Sequence, residues 1–310
     1  MDHSKKRIAA VVVTYNRLTL LKKCLAALQE QSCSDFDILI IDNASTDDTG
    51  SYCRSLAEEN NRISYYNTGS NLGGAGGFSY GIRTGVKQGY DYLWLMDDDT
   101  IPTETALAEL LKGTVLLGDN FGFLSSYAVW TDGSPAMMNI PGVSSSWREE
   151  IDRLFENRMF RVDSASFVSL LLRADVVREL GLPIKEFFIW ADDVEYTLRI
   201  SRKHPCYFCY DSKVVHEMAT NVGTTIVDEP GERLGRYRYL FRNRCYIARH
   251  GPKRDRLNYA IDIKNAVRDL LKSDCPDKLR RVHIVLSSYL QGWSFHPEIE
   301  YVDEATRKGT

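Results

Sequence analysis

Residues 94–100 read W-L-M-D-D-D-T: three apolar side chains run straight into Asp97, Asp98 and Asp99. Adjacent unpaired carboxylates repel, and burying even one is costly. A buried strand that ends this way predicts a positive partner, or open water, at its tip. Arg7–Val13 (R-I-A-A-V-V-V) is another continuous, β-branched run, as a strand covered on both faces requires. Between the two, helical spacing of Leu18, Leu21, Leu25 and Leu28 marks a helix over Leu18–Gln29. Asp37–Ile41 reads as a second strand, Thr46–Glu59 as a helix, Arg62–Tyr66 as a third strand and Phe78–Gln88 as a further helix. Tyr92–Met96 is the fourth strand. Beyond it, Pro102 reads as a first helical residue with Thr100 as its N-cap.

Strands alternating with helices predict an α/β fold, a Rossmann-like, mostly parallel sheet flanked by helices. Such sheets bind ligands beyond the carboxyl ends of their strands. Polar clusters fall at those ends: Thr14–Arg17, then Asp42 and Asn43, then Asn71–Gly77, then the three aspartates. Together they predict one composite ligand site.

The pattern then loosens. Phe121–Trp130 and Ala165–Leu172 read as strands, with a polar loop over Asp132–Trp147 between them. Pro205–Tyr210 and Lys213–His216 read as a hairpin, and Met218–Glu232 as a mobile loop. From Leu234 the chain reads as three helices, broken near Gly251-Pro252 and Asp274–Pro276. Two regions follow: 1–232, which carries the composite ligand site, and 233–310, basic and helical.

Composition bounds the rest. The chain has 310 residues, 44% hydrophobic and 26% charged, with net charge −3. That charge is uneven: Arg233–Gln291 holds 15 Lys or Arg against 5 Asp or Glu. The N-terminus reaches only about seven apolar residues before Thr14, short of a signal-peptide core, and no run approaches the roughly 18 residues of a membrane span. Seven scattered cysteines predict reduced thiols in the cytoplasm. Cys206-x-x-Cys209 has no second pair to complete a zinc site, so it reads as structural.

The stretch N-L-G-G-A-G-G-F (71–78) fails as a dinucleotide fingerprint, because it follows the third strand in the wrong register. It fails as a phosphate-binding P-loop because no Gly-Lys-Ser/Thr follows. Small residues remain, which let a ligand or another backbone approach closely, or simply let a helix pack tightly. Hard carboxylate oxygens on Asp97 and Asp99 suit Mg²⁺ or Mn²⁺, the alternative being a solvated acidic turn. Asp192-Asp193, after the apolar F-F-I-W-A, is either an acidic helix start or a catalytic pair beside an aromatic wall of Phe187, Phe188 and Trp190.

V-V-V-T-Y-N-R, I-I-D-N-A-S-T-D-D-T, N-L-G-G-A-G-G-F and M-D-D-D resemble the family-2 glycosyltransferases of GT-A fold across residues 7–218. With W-A-D-D-V-E-Y and R-Y-L-F-R-N-R, the chain is most similar to bacterial galactofuranosyltransferases, with dTDP-rhamnose enzymes next. The resemblance implies a metal-dependent, inverting transfer from a nucleotide sugar, best UDP-galactofuranose, to a glycan or lipid-linked acceptor in cell-surface polysaccharide synthesis. It implies that Thr14, Tyr15, Asn16, Arg17 and Asp42 hold base and ribose, and that Asn71, Gly73 and Gly74 flank the diphosphate and donor sugar. Asp97, Asp99 and His216 would be the metal ligands, with Asp98 facing the donor. Asp193 would be the general base, with Asp192 and Trp190 orienting the acceptor. Polymerising relatives carry an extra N-terminal domain. The first strand here starts at residue 7, so transfer of one or a few residues is expected.

The basic stretch Arg233–Arg249 interleaves Arg236, Arg238, Arg242, Arg244 and Arg249 with aromatics. A solvated helical face, an anionic membrane surface and a reach to the donor diphosphate stay open for it; nucleic acid is not expected as a partner. The location expected is cytoplasmic, peripheral at the inner face of the cell membrane. A sugar-phosphate nucleotidyltransferase would need a basic, glycine-rich loop near the start, and Thr14–Leu20 has no glycine. A non-catalytic glycan-binding module is the remaining alternative.

Overall fold

A computed structural model describes residues 6–223 and 225–303. The first half alternates as the apolar runs predict: β1 (Ile8–Thr14), α1 (Leu18–Gln29), β2 (Asp37–Asp42), α2 (Thr49–Glu59), β3 (Ile63–Asn67), α3 (Gly73–Lys87) and β4 (Tyr92–Asp97). Next come β5 (Thr100–Pro102), α4 (Ala106–Leu117), β6 (Phe123–Val129), β7 (Gly142–Val143), α5 (Ile151–Glu156), β8 (Met159–Ser164), β9 (Leu170–Arg173), α6 (Ala174–Leu180), α7 (Asp192–Ser201) and β10 (Tyr207–His216). Three helices follow, α8 (Tyr237–His250), α9 (Lys253–Lys272) and α10 (Lys278–Ser294), with breaks where the sequence places them.

Among the described residues the sheet runs β3-β2-β1-β4-β9-β6-β10-β8-β7, with β5 paired to β10. β1 through β4 are parallel. β9 joins antiparallel to both β4 and β6, and β10 lies parallel to β6. The unbroken apolar strands are covered twice. One core packs α1 and α4 on one face; the other packs α3, α6 and α7 on the opposite face. Cys206 belongs to the second core and Cys209 to the first, because three residues along a strand reverse the face. Burial pushes the Cys206 thiol up to about 12 and raises Cys209 likewise.

Three local expectations are corrected. Thr100 and Pro102 do not start a helix: Thr100 pairs with His216 and Pro102 with Val214 in the β5–β10 ladder. Pro102 is tolerated because the strand is only three residues long. The expected hairpin at 205–216 is instead one strand, bulged between Cys209 and Lys213. Its first half pairs with β8 and its second with β5, so the bulge exchanges one neighbour for another. The strand expected at Ala165–Leu172 is shorter: β8 ends before it at Ser164, and only from Leu170 does the chain enter β9.

A third core lies among α8, α9 and α10. It meets the sheet through Ala75, Ile184, Phe187 and Tyr246, which pack together. The boundary we propose at residue 232, between 1–232 and 233–310, precedes α8; its outer ends lie outside the described residues. The chain after α10 returns to the sheet side: Val302 packs in the second core, and Arg83 donates to the Tyr301 carbonyl.

Candidate active site

Four strand ends converge. At β4, Asp98 accepts a hydrogen bond from Thr14 Oγ1 (2.8 Å), and Arg17 Nη1 reaches both Asp98 (3.4 Å) and Asp99 (2.8 Å). The positive partner demanded by W-L-M-D-D-D-T is therefore Arg17, supplied by the loop after β1. Burial raises Asp98 to about 6, against the pull of Arg17 and Thr14. For Asp97 the pull of Arg17 is outweighed: burial first, then the charges of Asp99 and Asp98, push it well above the usual carboxylate range. Asp192 contributes in the same direction, so the two acidic pairs share one electrostatic neighbourhood.

The β5–β10 ladder, absent from the sequence reading, brings His216 to Asp99. Thr100 opposite His216 leaves Asp99 Oδ1 at 3.1 Å from His216 Nε2. Burial alone would raise Asp99, but the His216 hydrogen bond and charge, with Arg17, hold it below its ordinary value. Asn139 Oδ1 lies 2.8 Å from His216 Nδ1, and Asn139 Nδ2 donates to Ser166. That amide orientation makes Nδ1 the donor. A neutral His216 then turns the Nε2 lone pair toward the Asp99 carboxylate, and two lone pairs at that distance need a proton or a cation between them.

Those donors fit a hard or borderline divalent cation. Among the described residues no three His, Cys, Asp or Glu are already gathered as a metal cluster. A carboxylate and an imidazole completed by substrate phosphate and water is nonetheless a donor set that Mg²⁺ or Mn²⁺ accepts.

The other motif residues divide by employment. Asp42 is fully buried, accepting from Tyr65 Oη (2.7 Å), Asn67 Nδ2 (3.3 Å) and Ser45 N (2.8 Å). Asn16, in the left-handed region, accepts from Thr46 N, while Tyr15 is 40% exposed. Asn71 closes a local turn at the entry to α3, its side-chain oxygen accepting from Gly73 N at 2.9 Å. The glycines separate clearly. A Cβ on Gly73 would stand 2.1 Å from the Phe188 carbonyl oxygen, whereas one on Gly74 would meet nothing within 4 Å. Gly73 admits another backbone; Gly74 faces open space.

Asp192 and Asp193 open α7 directly after Trp190 and Ala191, which have φ of 67° and 66°. Asp193 lines a cleft of about 730 Å³ with Trp190, Tyr237, Arg244, Asp255, Asn258 and others. Asp192 sits behind it, buried. Burial, then the charge of Asp193, raises Asp192 to about 8; burial raises Asp193 to about 6 despite its bond from Val194 N (2.7 Å). The expected aromatic wall is reduced to Trp190: Phe187 is buried against Tyr246 and Phe295, and Phe188 stacks on Tyr239.

Comparison with known proteins decides the family. Residues 9–115 match the sequence profile of Glycosyl transferase family 2. The chain carries a family 2 glycosyl transferase domain. Galactofuranosyltransferase GlfT1 of Mycobacterium tuberculosis is similar at 28% identity over 256 residues, 77% of this chain and 81% of that protein. GalNAc(5)-diNAcBac-PP-undecaprenol beta-1,3-glucosyltransferase of Campylobacter jejuni is 29% identical over 107 residues, 34% of each chain. Among solved structures, the mannosyltransferase PcManGT from Pyrobaculum calidifontis, in complex with GDP-Man and Mn²⁺, superposes with TM-score 0.54 at 16% identity, over 95% of this chain and 77% of that one. S. aureus TarS superposes with TM-score 0.52 at 14% identity over 92% of this chain, which spans only 43% of the TarS chain. The fold is that of the GT-A glycosyltransferases.

The glycosyl transferase domain thus contains Arg17 and the strand-end aspartates, while Asp192, Asp193, His216 and the helical wall of the cleft lie beyond residue 115. Sequence reasoning gave no role to Asn243 and missed Asn139 and the α9 residues Asp255, Asn258 and Asp262. Single polar residues in loops and on amphipathic helices carry no spacing signal; only R-Y-L-F-R-N-R flagged one of them, Asn243.

Proposed function

We propose that the chain transfers a sugar, with inversion, from a nucleoside-diphosphate donor to a hydroxyl of a glycan or lipid-linked saccharide. The observation that carries this reading is the meeting of two acidic centres. One is bound to Arg17 and His216 at the strand ends; the other, Asp193, borders an aromatic-edged cleft beside them. Galactofuranose from UDP-galactofuranose is the favoured donor, supported by similarity to GlfT1 over most of both chains. The undecaprenol named for the Campylobacter relative supports a lipid-linked acceptor. A dTDP-rhamnose donor is the alternative.

In this reading Thr14, Tyr15, Asn16, Arg17 and Asp42 form the nucleotide end, and Asn71, Gly73 and Gly74 border the diphosphate and sugar. Asp98 faces the donor. Asp97, Asp99 and His216 would hold Mg²⁺ or Mn²⁺, which when bound neutralises the departing diphosphate. Asp193 takes the proton of the acceptor hydroxyl as that oxygen attacks the anomeric carbon. The carbon–oxygen bond to the diphosphate breaks on the opposite face, and its electron pair leaves with the diphosphate. Asp192 and Trp190 orient the acceptor.

No helix among the described residues is long and apolar enough to cross a membrane. We place membrane contact, at the inner face of the cytoplasmic membrane, on α9 and α10 rather than α8. In α8, Arg242 and Arg249 are tied to backbone carbonyls. In α10, exposed Leu279, Leu286, Leu290 and Trp293 form a stripe opposite buried Arg281, Val285 and Ser288, and exposed Leu257 and Ile261 of α9 lie beside Lys264 and Arg268. Co-sedimentation with anionic but not zwitterionic vesicles, lost in Leu290→Glu, is the expected result.

A thermal-shift panel with UDP, dTDP and GDP, each with and without Mn²⁺, tests the donor. A metal-dependent shift with UDP supports UDP-galactofuranose; a shift with dTDP alone transfers the proposal to rhamnose; no shift with any of them removes its basis.

A further inference from the structure

Phe187–Ala191 delivers both acidic residues of α7, and its backbone is costly to hold. Phe188, Trp190 and Ala191 all have positive φ (63°, 67° and 66°), a region that L residues with a Cβ rarely adopt. Such a turn persists only if its surroundings over-determine it. From one side, Ala75 N donates to the Phe188 carbonyl at 3.2 Å, and Gly73 lets that carbonyl approach. From the other side, α8 packs Tyr239 on Phe188 and Tyr237 on Trp190, and one of its side chains supplies hydrogen bonds to the turn. Asn243, 0% exposed, directs Nδ2 at the carbonyls of Phe187 (3.0 Å), Ile189 (3.2 Å) and Trp190 (2.9 Å).

Two N–H groups therefore serve three carbonyls on either side of the Phe188 carbonyl that turns toward α3; the Phe187 carbonyl also accepts from Ile189 N (2.7 Å). The amide orientation is fixed from behind, because Asn243 Oδ1 accepts from Arg242 Nε (3.0 Å) and Nη2 (2.9 Å). Arg242 also donates to the Glu186 carbonyl and stacks 3.9 Å over the Phe295 ring. Removing the Asn243 amide leaves three carbonyls of a buried, strained turn without a donor from α8.

We propose that Asn243 is a positioning residue for the Asp192–Asp193 pair: its amide fixes the 187–191 turn in the conformation that presents Asp193 to the cleft. This rests on the reading of Asp193 as general base. It gives the C-terminal helices a part in the chemistry, since the residue that sets the base in place belongs to α8 and not to the transferase domain of residues 9–115. Asn243 touches neither the strand-end aspartates nor the Asp42 cluster, so the nucleotide end should be indifferent to it.

The test compares full-length wild type, Asn243→Ala, the near-isosteric Asn243→Asp, and Asp193→Asn. UDP release from UDP-galactofuranose with Mn²⁺ gives kcat and donor KM; amide hydrogen exchange is followed in peptides covering 184–196 and 8–42. Both Asn243 variants should lose about 100-fold in kcat, as small misplacements of catalytic groups do, with donor KM within about twofold of wild type. Exchange should quicken at 187–193 and stay unchanged at 8–42. Retention of kcat by both variants, or unchanged exchange at 187–193, overturns the clamp. Global loss of protection in both variants also overturns it, as Asn243 would then be a general core residue. Should wild type itself release no UDP, the transfer reading fails on its own, and the exchange data still decide whether Asn243 holds the turn.

Discussion

The two acidic clusters are built in opposite ways. At the β4 end, Asp98 and Asp99 are buried yet answered by Arg17, Thr14 and His216; Asp99 is held below the ordinary carboxylate range, while burial still raises Asp98 to about 6 and Asp97 further, so the charge-holding member of this cluster is Asp99. At the start of α7, Asp192 and Asp193 have backbone amides but, among the described residues, no ion pair with a cation, and burial raises them to about 8 and about 6. A carboxylate surrounded by positive groups keeps its charge and can share it with a cation or a diphosphate partner. A carboxylate raised toward neutrality gives and takes a proton near physiological pH. In the proposed reading, one fold thereby separates charge holding from proton transfer.

The largest effect expected from breaking this contrast is at Asp193. Asp193→Asn should lower turnover about 1000-fold, within the range of lost general-base catalysis, while a UDP–Mn²⁺ thermal shift survives. Steady-state UDP release against melting temperature checks both halves; equal loss of binding and turnover would merge the two clusters into one function. The converse variant, Asp99→Ala, should abolish the metal-dependent part of the UDP shift, which at a hundredfold excess over Kd corresponds to about 2.7 kcal/mol. Titration of Mn²⁺ at fixed UDP measures it.

Acid should act on Asp193 over the same range as on Asp98, both raised to about 6. With Asp193 near 6, kcat/KM should fall about tenfold per pH unit below that value, because the base must be unprotonated to act. A flat profile from pH 5 to 7, roughly the span in which such a group titrates, would show that another group is the base.

A smaller, thermodynamic effect sharpens the same point. Asp192 has a raised folded value, so its ionisation costs the native state nothing below about pH 4 and progressively more as pH climbs toward about 8. Asp192→Asn should therefore melt with wild type at pH 4 and several degrees above it at pH 8 to 9, roughly the range beyond its titration. The smallest contrast is between neighbours: Gly73→Ala, strained at φ 71° and colliding with Phe188, should destabilise by about 2 kcal/mol or more, whereas Gly74→Ala, inside α3 with nothing within 4 Å of the new Cβ, should stabilise by up to about 1 kcal/mol. Chemical denaturation of the two variants reads the difference.

Much of this was legible beforehand where a pattern repeats. Continuous apolar runs gave β1, β2 and β4, and the period of Leu18, Leu21, Leu25 and Leu28 gave α1 to the residue. The glycine stretch was read as an approach to α3, yet the helix already begins at Gly73, because close packing on Val11, Val13 and Leu93 compensates poor helix propensity. Thr100 and Pro102 misled because a local cap-and-proline signal was outweighed by pairing with a strand more than a hundred residues away.

The sequence by itself determined the alternation of strands and helices, and with it the placing of Thr14–Arg17, Asp42 and Asp97–Asp99 at one edge of a parallel sheet. Those follow from local periodicity and from the rule that strand ends face the ligand. Only the tertiary structure decided that Arg17 answers the aspartates, that β5 carries Asp99 to His216, that Phe187 leaves the cleft while Trp190 stays, and that Asn243 holds the turn before α7. Each of these is a contact between residues distant in sequence, set by which strands pair and which helices pack, and no local spacing encodes it.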